Sequence, residues 1–348
     1  MSKVFEEDLN EISNSKIINW DRMKNKSILV TGATGLIGSI MIKAIIKRNI
    51  EFGDNINLIL IVRNEDKAKK IFGTDNISYI ETSIEKYEVN ENLKIDYIIH
   101  GASITKSKIF VDNPVETMDI SILGTKNILE QAKFSGINSM VFLSSMEIYG
   151  TVDSKNVTES DLGYIDHLNV RSSYSESKRV CELYCSAYHK ENNIPVKIAR
   201  IAQTFGAGVS KNENRVFKVF ADSIVNKEDI ILKSSGATLI NFSYTTDTII
   251  GILKILLDGE NGEPYNIVSD NSNMSILESA RWLAKTYGEG KVDVRIEIPK
   301  ENMGYAPINN MILCNEKLKS IGWNYKYDLK NGYQRLIKYL IEQKELDY

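Results

Sequence analysis

A doubly wound α/β fold, a parallel sheet with helices on both faces, is what this sequence predicts, and two observations carry the prediction. Short, almost purely apolar runs alternate with stretches of helical periodicity along the first two hundred residues or so of a 348-residue chain. The first run (Ile28, Leu29, Val30) passes through three glycines at spacing three (Gly32, Gly35, Gly38) straight into a helical pattern of Ile37, Ile40, Met41, Ala44 and Ile45. Parallel strands covered on both faces read as such runs, and successive strand–helix–strand units wind right-handed.

Residues 1–25 carry acidic side chains and no long apolar core, so we expect neither a signal peptide nor a membrane anchor but an added surface helix. At 31–38 a strand feeds a helix N-terminus. Its unpaired N–H groups and positive dipole end lie beside glycines that let a ligand approach the backbone, a candidate cradle for a dinucleotide diphosphate. The Gly-x-x-Gly-x-x-Gly spacing departs from the commoner Gly-x-Gly-x-x-Gly. The second strand, 57–62, ends at Arg63, where an acid would bond the adenosine ribose and an arginine can pair with a 2′-phosphate. That favours NADP over NAD; the alternative is a solvated arginine heading the polar helix 65–72. Further strands are expected at 77–80 and 95–100, the latter running into Gly101, Ala102 and Ser103, small enough for a flat ligand to lie on the backbone. Helical periodicity covers 113–133, strands follow at 139–144 and 195–201, and a helix covers 172–192. Beyond residue 203 the segments 205–236 and 264–327 are shorter, more polar and loop-rich, suiting a smaller lobe over the strand ends, where ligands of open α/β sheets bind. The expected division is an N-terminal extension (1–25), a dinucleotide-binding domain (26–202, with a return near 241–260) and a mainly substrate-binding lobe (203–348).

Composition narrows the class. A hydrophobic content of 43% supports a real core, and a net charge of −3 offers no basic field for nucleic acid or an anionic membrane. Three cysteines and three histidines, scattered, show neither a disulfide framework nor metal-ligand spacing, so we expect a reducing cytoplasm and no metal.

Tyr174 and Lys178 stand four apart on a helical pattern and therefore share one face. An ammonium one turn from a phenol favours the phenolate, so the tyrosine is expected below its usual value, as a general acid/base. Together with Thr-Gly-Ala-Thr-Gly-Leu-Ile-Gly (31–38) and Ser-Ser-Met-Glu-Ile-Tyr-Gly (144–150), the run Tyr-Ser-Glu-Ser-Lys (174–178) resembles the extended short-chain dehydrogenases/reductases, and among them the NAD(P)-dependent nucleotide-sugar epimerases and dehydratases. The resemblance runs from about residue 26 to 341 and implies a Rossmann-type sheet. It implies that Gly32, Gly35 and Gly38, with Thr34, Leu36 and Ile37 of the same turn, hold the cofactor diphosphate; that Arg63, Ser83, Ile84, Gly101, Ala102 and Ser103 line the rest of the cofactor; and that Lys178 bonds the nicotinamide ribose. Tyr174 would be the acid/base, with Ser145 on the reacting sugar oxygen. Ser144 would have a backbone or packing role. Glu147 lies where decarboxylases and dehydratases of the family have a glutamate that works on the sugar; the alternative is a polar turn residue without proton transfer. Met146 and Gln203 would meet the substrate.

The chain departs from the family pattern at several positions. Met146 replaces the aspartic acid with which 4,6-dehydratases protonate a departing hydroxyl, and a thioether cannot donate that proton. Ser83 stands for an aspartate near the adenine, Ser121 for an asparagine beneath the active-site strand, and Gln203 for an asparagine on the nucleotide-sugar. Ile240 and Asn241 replace an arginine–aspartate pair whose arginine grips the sugar-side diphosphate; Lys211, Arg215, Lys218 and Lys233 are candidate substitutes.

The resemblance implies hydride transfer at a carbinol carbon of a nucleotide-activated sugar or sugar alcohol, in bacterial surface-polysaccharide precursor synthesis, as a net reductase or an epimerase. A dehydratase or decarboxylase using Glu147 is the alternative; one of another class is a non-catalytic dinucleotide-binding regulator, against which Ser145, Tyr174 and Lys178 together argue. The helices 113–133 and 172–192 carry more apolar residues than one buried stripe needs, and relatives pair them as a four-helix bundle, implying a homodimer. The alternative is a monomer in which 1–25 covers the excess.

Overall fold

In a computed structural model describing residues 2–152, 156–269, 274–299 and 308–346, the apolar runs become strands of one parallel sheet. In chain order the elements are α1 (Lys3–Ser13), β1 (Ser27–Thr31), α2 (Leu36–Phe52), β2 (Asn57–Val62), α3 (Glu65–Phe72), β3 (Ile77–Glu81), β4 (Tyr97–His100), α4 (Ser107–Asp112), α5 (Pro114–Ser135) and β5 (Ser139–Ser145). Next come β6 (Asn156–Val157), α6 (Ser173–Asn192), β7 (Val196–Ile201), β8 (Gln203–Phe205), α7 (Val216–Asn226), β9 (Ile230–Leu232), β10 (Phe242–Tyr244) and α8 (Thr245–Asp258). The chain closes with β11 (Pro264–Ile267), α9 (Ile276–Tyr287), β12 (Val294–Ile296), β13 (Ile312–Leu313), α10 (Glu316–Ser320) and α11 (Leu329–Leu346).

The seven-stranded sheet has the order β3-β2-β1-β4-β5-β7-β11, every pair parallel, with Leu29 opposite Ile59 on one side and Ile98 on the other. Chain order reverses between β1 and β4, which opens a crevice at the C-terminal strand ends. The residues of β1, β4, β5 and β7 are almost all buried because helices cover both faces, which is why these strands are continuous apolar runs rather than alternating ones. The outer strand β11 comes from the segment expected to be loop-rich. It is four residues long and starts with proline, as an edge strand can, so periodicity does not flag it. Residues 270–273 and 300–307 of that segment lie outside the described residues. Three short parallel pairs, β8–β10, β9–β12 and β6–β13, complete the architecture.

α1 forms where a helix was expected, but it is not laid on the surface. The Ser2 hydroxyl caps it, accepting from the Phe5 N–H, and Val4, Phe5, Leu9 and Ile12 are buried against α2, α8 and α11. It therefore does not cover α5 and α6, which pack on each other and leave Met118, Leu123, Val180 and Leu183 exposed. Among the described residues no helix is long and apolar enough to cross a membrane.

Candidate active site

β1 delivers the chain into the glycine turn with Gly32 at φ +73°. A Cβ there would come within 2.7 Å of the Gly101 carbonyl group, and one on Gly38 within 2.4 Å of the Gly32 oxygen. These two glycines are required by the close approach of β1, β4 and α2. Gly35 differs: at φ −74° it is the N-cap of α2 without a side-chain cap, and a Cβ would meet only the Gly32 oxygen, at 3.3 Å. The first-turn N–H groups of Leu36, Ile37 and Gly38 cannot be used within the helix, so the open turn has the donors and dipole that fit a diphosphate. Thr34 lies in the same turn.

A buried network that the sequence reading missed ties this turn to β4. Thr31 Oγ1 accepts the N–H groups of Gly101 (3.1 Å) and Ala102 (3.0 Å) and so donates its proton to His100 Nδ1 (2.7 Å). His100 Nε2–H then donates to Thr125 Oγ1 (3.1 Å), which donates to the Ser121 carbonyl (2.7 Å). Burial pushes the His100 pKa down to about 3, so the ring is neutral and acts as a spacer. The available signal was a histidine closing an apolar strand just before the small-residue turn. Ser103 reaches Ser121, 3.1 Å between hydroxyls.

At the far side of the crevice Arg63 is exposed at the end of β2, and Asn64 caps α3, accepting from the Lys67 N–H at 2.7 Å. Ser83 precedes the short turn Ile84–Lys86, and the Ile84 side chain is buried against Gly124.

Tyr174, in the first turn of α6, is 8% exposed, and its ring stacks face to face on Phe110 at 4.5 Å and 4°. Ser145, closing β5, has its hydroxyl beside the phenol, whose pKa it lowers, and accepts the Glu147 N–H at 3.2 Å. Lys178 is one turn along the same face; its Nζ lies 5.9 Å from the Tyr174 ring centre and donates to the Leu143 carbonyl at 2.8 Å. Taken together, the protein's own groups do not lower the phenol pKa. Burial pushes Tyr174 well above its ordinary value and the Glu147 charge adds to this, while Ser145, Arg171 and Arg215 oppose it. Lys178 is itself pushed down by burial, so desolvation decides the direction for both groups.

Glu147 does not stand free in the cleft. Arg171 grips both its oxygens (2.5 and 3.1 Å), Ser175 donates to Oε2 at 3.1 Å, and the guanidinium lies 5.3 Å from the Phe110 ring centre. Arg171 was missed because it is visible only as a residue three before Tyr174. Ser144 is structural: its hydroxyl donates to Glu182 (2.5 Å), which pairs with buried Arg200 at 2.7 Å. Met146 packs with the apolar cluster around Ile148, Tyr149 and Val157. Gln203, half-buried, starts β8, its N–H on the Asn241 carbonyl (3.2 Å). Asn241 spends its amide on Met311 O (2.9 Å) and Leu313 N (2.8 Å), holding β13 in place. Of the candidate cations, Lys218 is buried on Asp222 (2.6 Å) and Lys233 is exposed beside Glu297 (3.5 Å). Arg215 is paired with Glu213 at 2.7 Å, and its charge lowers the Tyr174 pKa.

Solved structures share the whole fold. The UDP-glucose 4-epimerase of Thermotoga maritima superposes with a TM-score of 0.74 over 92% of this chain and 99% of its own, at 22% identity. A dTDP-glucose 4,6-dehydratase from Streptomyces venezuelae, solved with NAD bound, gives 0.75 over 92% and 98% at 20% identity. In sequence, UDP-glucuronic acid decarboxylase 6 of Arabidopsis thaliana is 29% identical over 313 residues, covering 88% of this chain and 87% of that protein, and UDP-glucuronic acid decarboxylase 1 of Xenopus tropicalis is 27% identical, covering 93% and 73%. A sequence model of the NAD dependent epimerase/dehydratase family matches residues 28–268, and the chain belongs to this family, an enzyme of the extended short-chain dehydrogenase/reductase type.

Proposed function

We propose that this enzyme oxidises a ring hydroxyl of a nucleotide-activated sugar, with Tyr174 as the acid/base, and that with a uronic acid as the sugar the resulting ketone loses carbon dioxide. The observation that carries the reading is the Ser145 hydroxyl and the Tyr174 phenol side by side next to the Arg171-held Glu147. The decarboxylases among the sequence relatives support the outcome. A nicotinamide dinucleotide, when bound, supplies the hydride acceptor and later the donor. Gly32, Thr34, Gly35, Leu36, Ile37 and Gly38 would hold its diphosphate, Arg63, Ser83 and Ile84 its adenosine end, and Gly101, Ala102, Ser103 and Lys178 its nicotinamide side. Tyr174, raised by burial, would be favoured as the phenolate by the positive charge of an oxidised ring bound beside it.

Tyr174 takes the hydroxyl proton as the C–H bond of the same carbon breaks, and Ser145 bonds the oxygen. A ketone next to the carbon that carries the carboxylate makes a β-keto acid. Its carbon–carbon bond breaks, carbon dioxide leaves, and the electron pair moves onto the ketone oxygen, where the Ser145 and Tyr174 hydroxyls stabilise the enolate. The ring carbon then takes a proton from water, and Tyr174 gives its proton back to the oxygen as the ketone carbon regains a hydride. None of these steps needs an acid for a departing hydroxyl, so Met146 is compatible with them, whereas elimination of water requires such an acid. Arg215 is our choice for the cation that replaces an arginine at Ile240 and meets the substrate diphosphate.

A second reading, net reduction by NADPH, is favoured by one observation: the exposed Arg63 where a carboxylate would select NAD. We further propose a homodimer through α5 and α6, whose Leu183 (69% exposed) and Met118 (43%) present apolar surface; light scattering at micromolar concentration giving only a 39.4 kDa species would exclude it. The reaction is tested by incubating the protein with NAD or NADP and nucleotide-linked uronic acids and neutral hexoses, and reading products by mass spectrometry. Loss of carbon dioxide from a uronic acid supports the first reading; a reduced product with oxidised NADP supports the second.

A further inference from the structure

No motif residue lies in α1, yet this helix clasps the substrate-side wall of the cleft. Asp8 is 1% exposed; its Oδ1 accepts from Arg335 Nη2 (2.6 Å) and Nε (3.1 Å), and its Oδ2 from the Tyr244 hydroxyl (2.7 Å). Tyr244 ends β10, which pairs residue for residue with β8: Phe242 opposite Gln203, Tyr244 opposite Phe205. Its hydroxyl in turn accepts the Ala207 N–H at 3.4 Å.

The three residues after β8 each meet the clasp. A Cβ on Gly206 would lie 2.9 Å from the Tyr244 ring, and one on Gly208 would lie 2.7 Å from the Phe5 ring of α1 and 3.1 Å from Ile40 of α2. Between them Ala207 is held by the Tyr244 hydroxyl. Gly208 stands at φ +87°, in the left-handed region that favours glycine. Glu11, one turn beyond Asp8, accepts from Tyr327 (2.6 Å) and Lys326 (2.7 Å), whose N–H groups are bound by Asp247 of α8 (2.9 and 3.0 Å). Phe5 thus joins the cradle helix to the 206–208 loop, and Asp8 joins Tyr244 to α11.

We propose that Asp8 is a positioning residue that, through Tyr244, sets β8 and the 206–208 loop against the cradle helix and so shapes the nucleotide side of the substrate cleft. The inference rests on the reading above in taking Gln203 and this loop to face a nucleoside diphosphate. A buried carboxylate held by a guanidinium and a phenol is a directional tie. Oily residues at the same place would fill the core but would not orient Tyr244.

Hydrogen exchange of the full chain, read peptide by peptide, tests the proposal with Asp8→Asn, Tyr244→Phe and, as the conservative restoration, Asp8→Glu. In Asp8→Asn and Tyr244→Phe the amides of 203–209 are expected to exchange roughly tenfold faster, the factor for one charge-assisted hydrogen bond, with β1, α2 and β5 unchanged and with Asp8→Glu closer to the parent. Faster exchange across the whole chain, or none at 203–209 in either variant, would overturn it. Tyr244→Phe keeps the Asp8–Arg335 pair and remains readable if Asp8→Asn does not fold. In parallel, calorimetry with UDP, CDP, dTDP or GDP should show weaker nucleotide binding in both variants and unchanged NAD binding; equal weakening of both ligands would also contradict a local role. If the parent binds none of these nucleotides, the nucleotide-sugar reading fails, while the exchange pattern still decides the role of Asp8.

Discussion

Alanine at Gly32 and alanine at Gly35 should damage the protein in different ways. At Gly32 the left-handed φ of +73° costs a side chain about 1–2 kcal/mol. The new Cβ, 2.7 Å from the Gly101 backbone, must also push β1 and β4 apart, adding about 1–3 kcal/mol. Gly32→Ala is therefore expected to lose about 2–5 kcal/mol, a large share of the total for a natural protein. Gly35 has φ −74°, and its Cβ would sit 3.3 Å from one carbonyl oxygen, so Gly35→Ala should cost about 1 kcal/mol or less in folding. Its methyl group, however, would stand where the proposed diphosphate meets the N-terminus of α2, and overpacking of about 1–3 kcal/mol there would lower affinity roughly tenfold to a hundredfold. Denaturant melts give the first quantity and calorimetric titration with NAD the second. Equal destabilisation by both changes, or parental NAD affinity in Gly35→Ala, would refute the assignment of this turn.

Tyr174→Phe should lower turnover by about 10²–10⁴ with cofactor affinity unchanged; a smaller fall would remove it from proton transfer. Arg63→Asp should weaken NADPH more than NADH, since a carboxylate repels the 2′-phosphate, and equal changes in the two dissociation constants would make Arg63 a surface residue. Glu147 raises the Tyr174 pKa and Arg171 lowers it. The rising limb of the pH–rate profile should therefore move to lower pH in Glu147→Gln and to higher pH in Arg171→Gln, and movement in one direction by both would show that neither charge acts on the phenol. Burial raises Asp247 from 3.8 to about 7, so the fold holds its proton where the unfolded chain does not. Its contribution is complete below pH 3.8 and declines as pH rises through about 7, by a few kcal/mol at most. Asp247→Asn should flatten that decline in denaturant melts, and an unchanged slope would contradict the shift.

Local chemistry was legible in the sequence. The strand–glycine–helix turn and the four-residue spacing of Tyr174 and Lys178 are statements about one turn of chain, and β1, α2 and α6 formed close to where their periodicity put them. Partners distant in sequence were not legible. The Phe110 ring beneath Tyr174, the Thr31–His100 bond and the grip of Arg171 on Glu147 depend on how strands order in the sheet, which no period reports. The same limit applies to the phenol: helical spacing shows Lys178 beside Tyr174 but not the burial that raises its pKa, to which the Phe110 ring stacked on it contributes. The apolar stripe of α1 could be seen in sequence but not what it packs on, since Asp8 meets Arg335 across nearly the whole chain.

The most direct test of the central claim is a single-turnover experiment. The protein, loaded with NAD, is mixed with a nucleotide-linked uronic acid, and reduced nicotinamide absorbance is followed together with released carbon dioxide. A transient rise in absorbance and release of carbon dioxide are expected with the parent protein, and neither with Tyr174→Phe. Carbon dioxide release or absorbance change undiminished in Tyr174→Phe would contradict that claim.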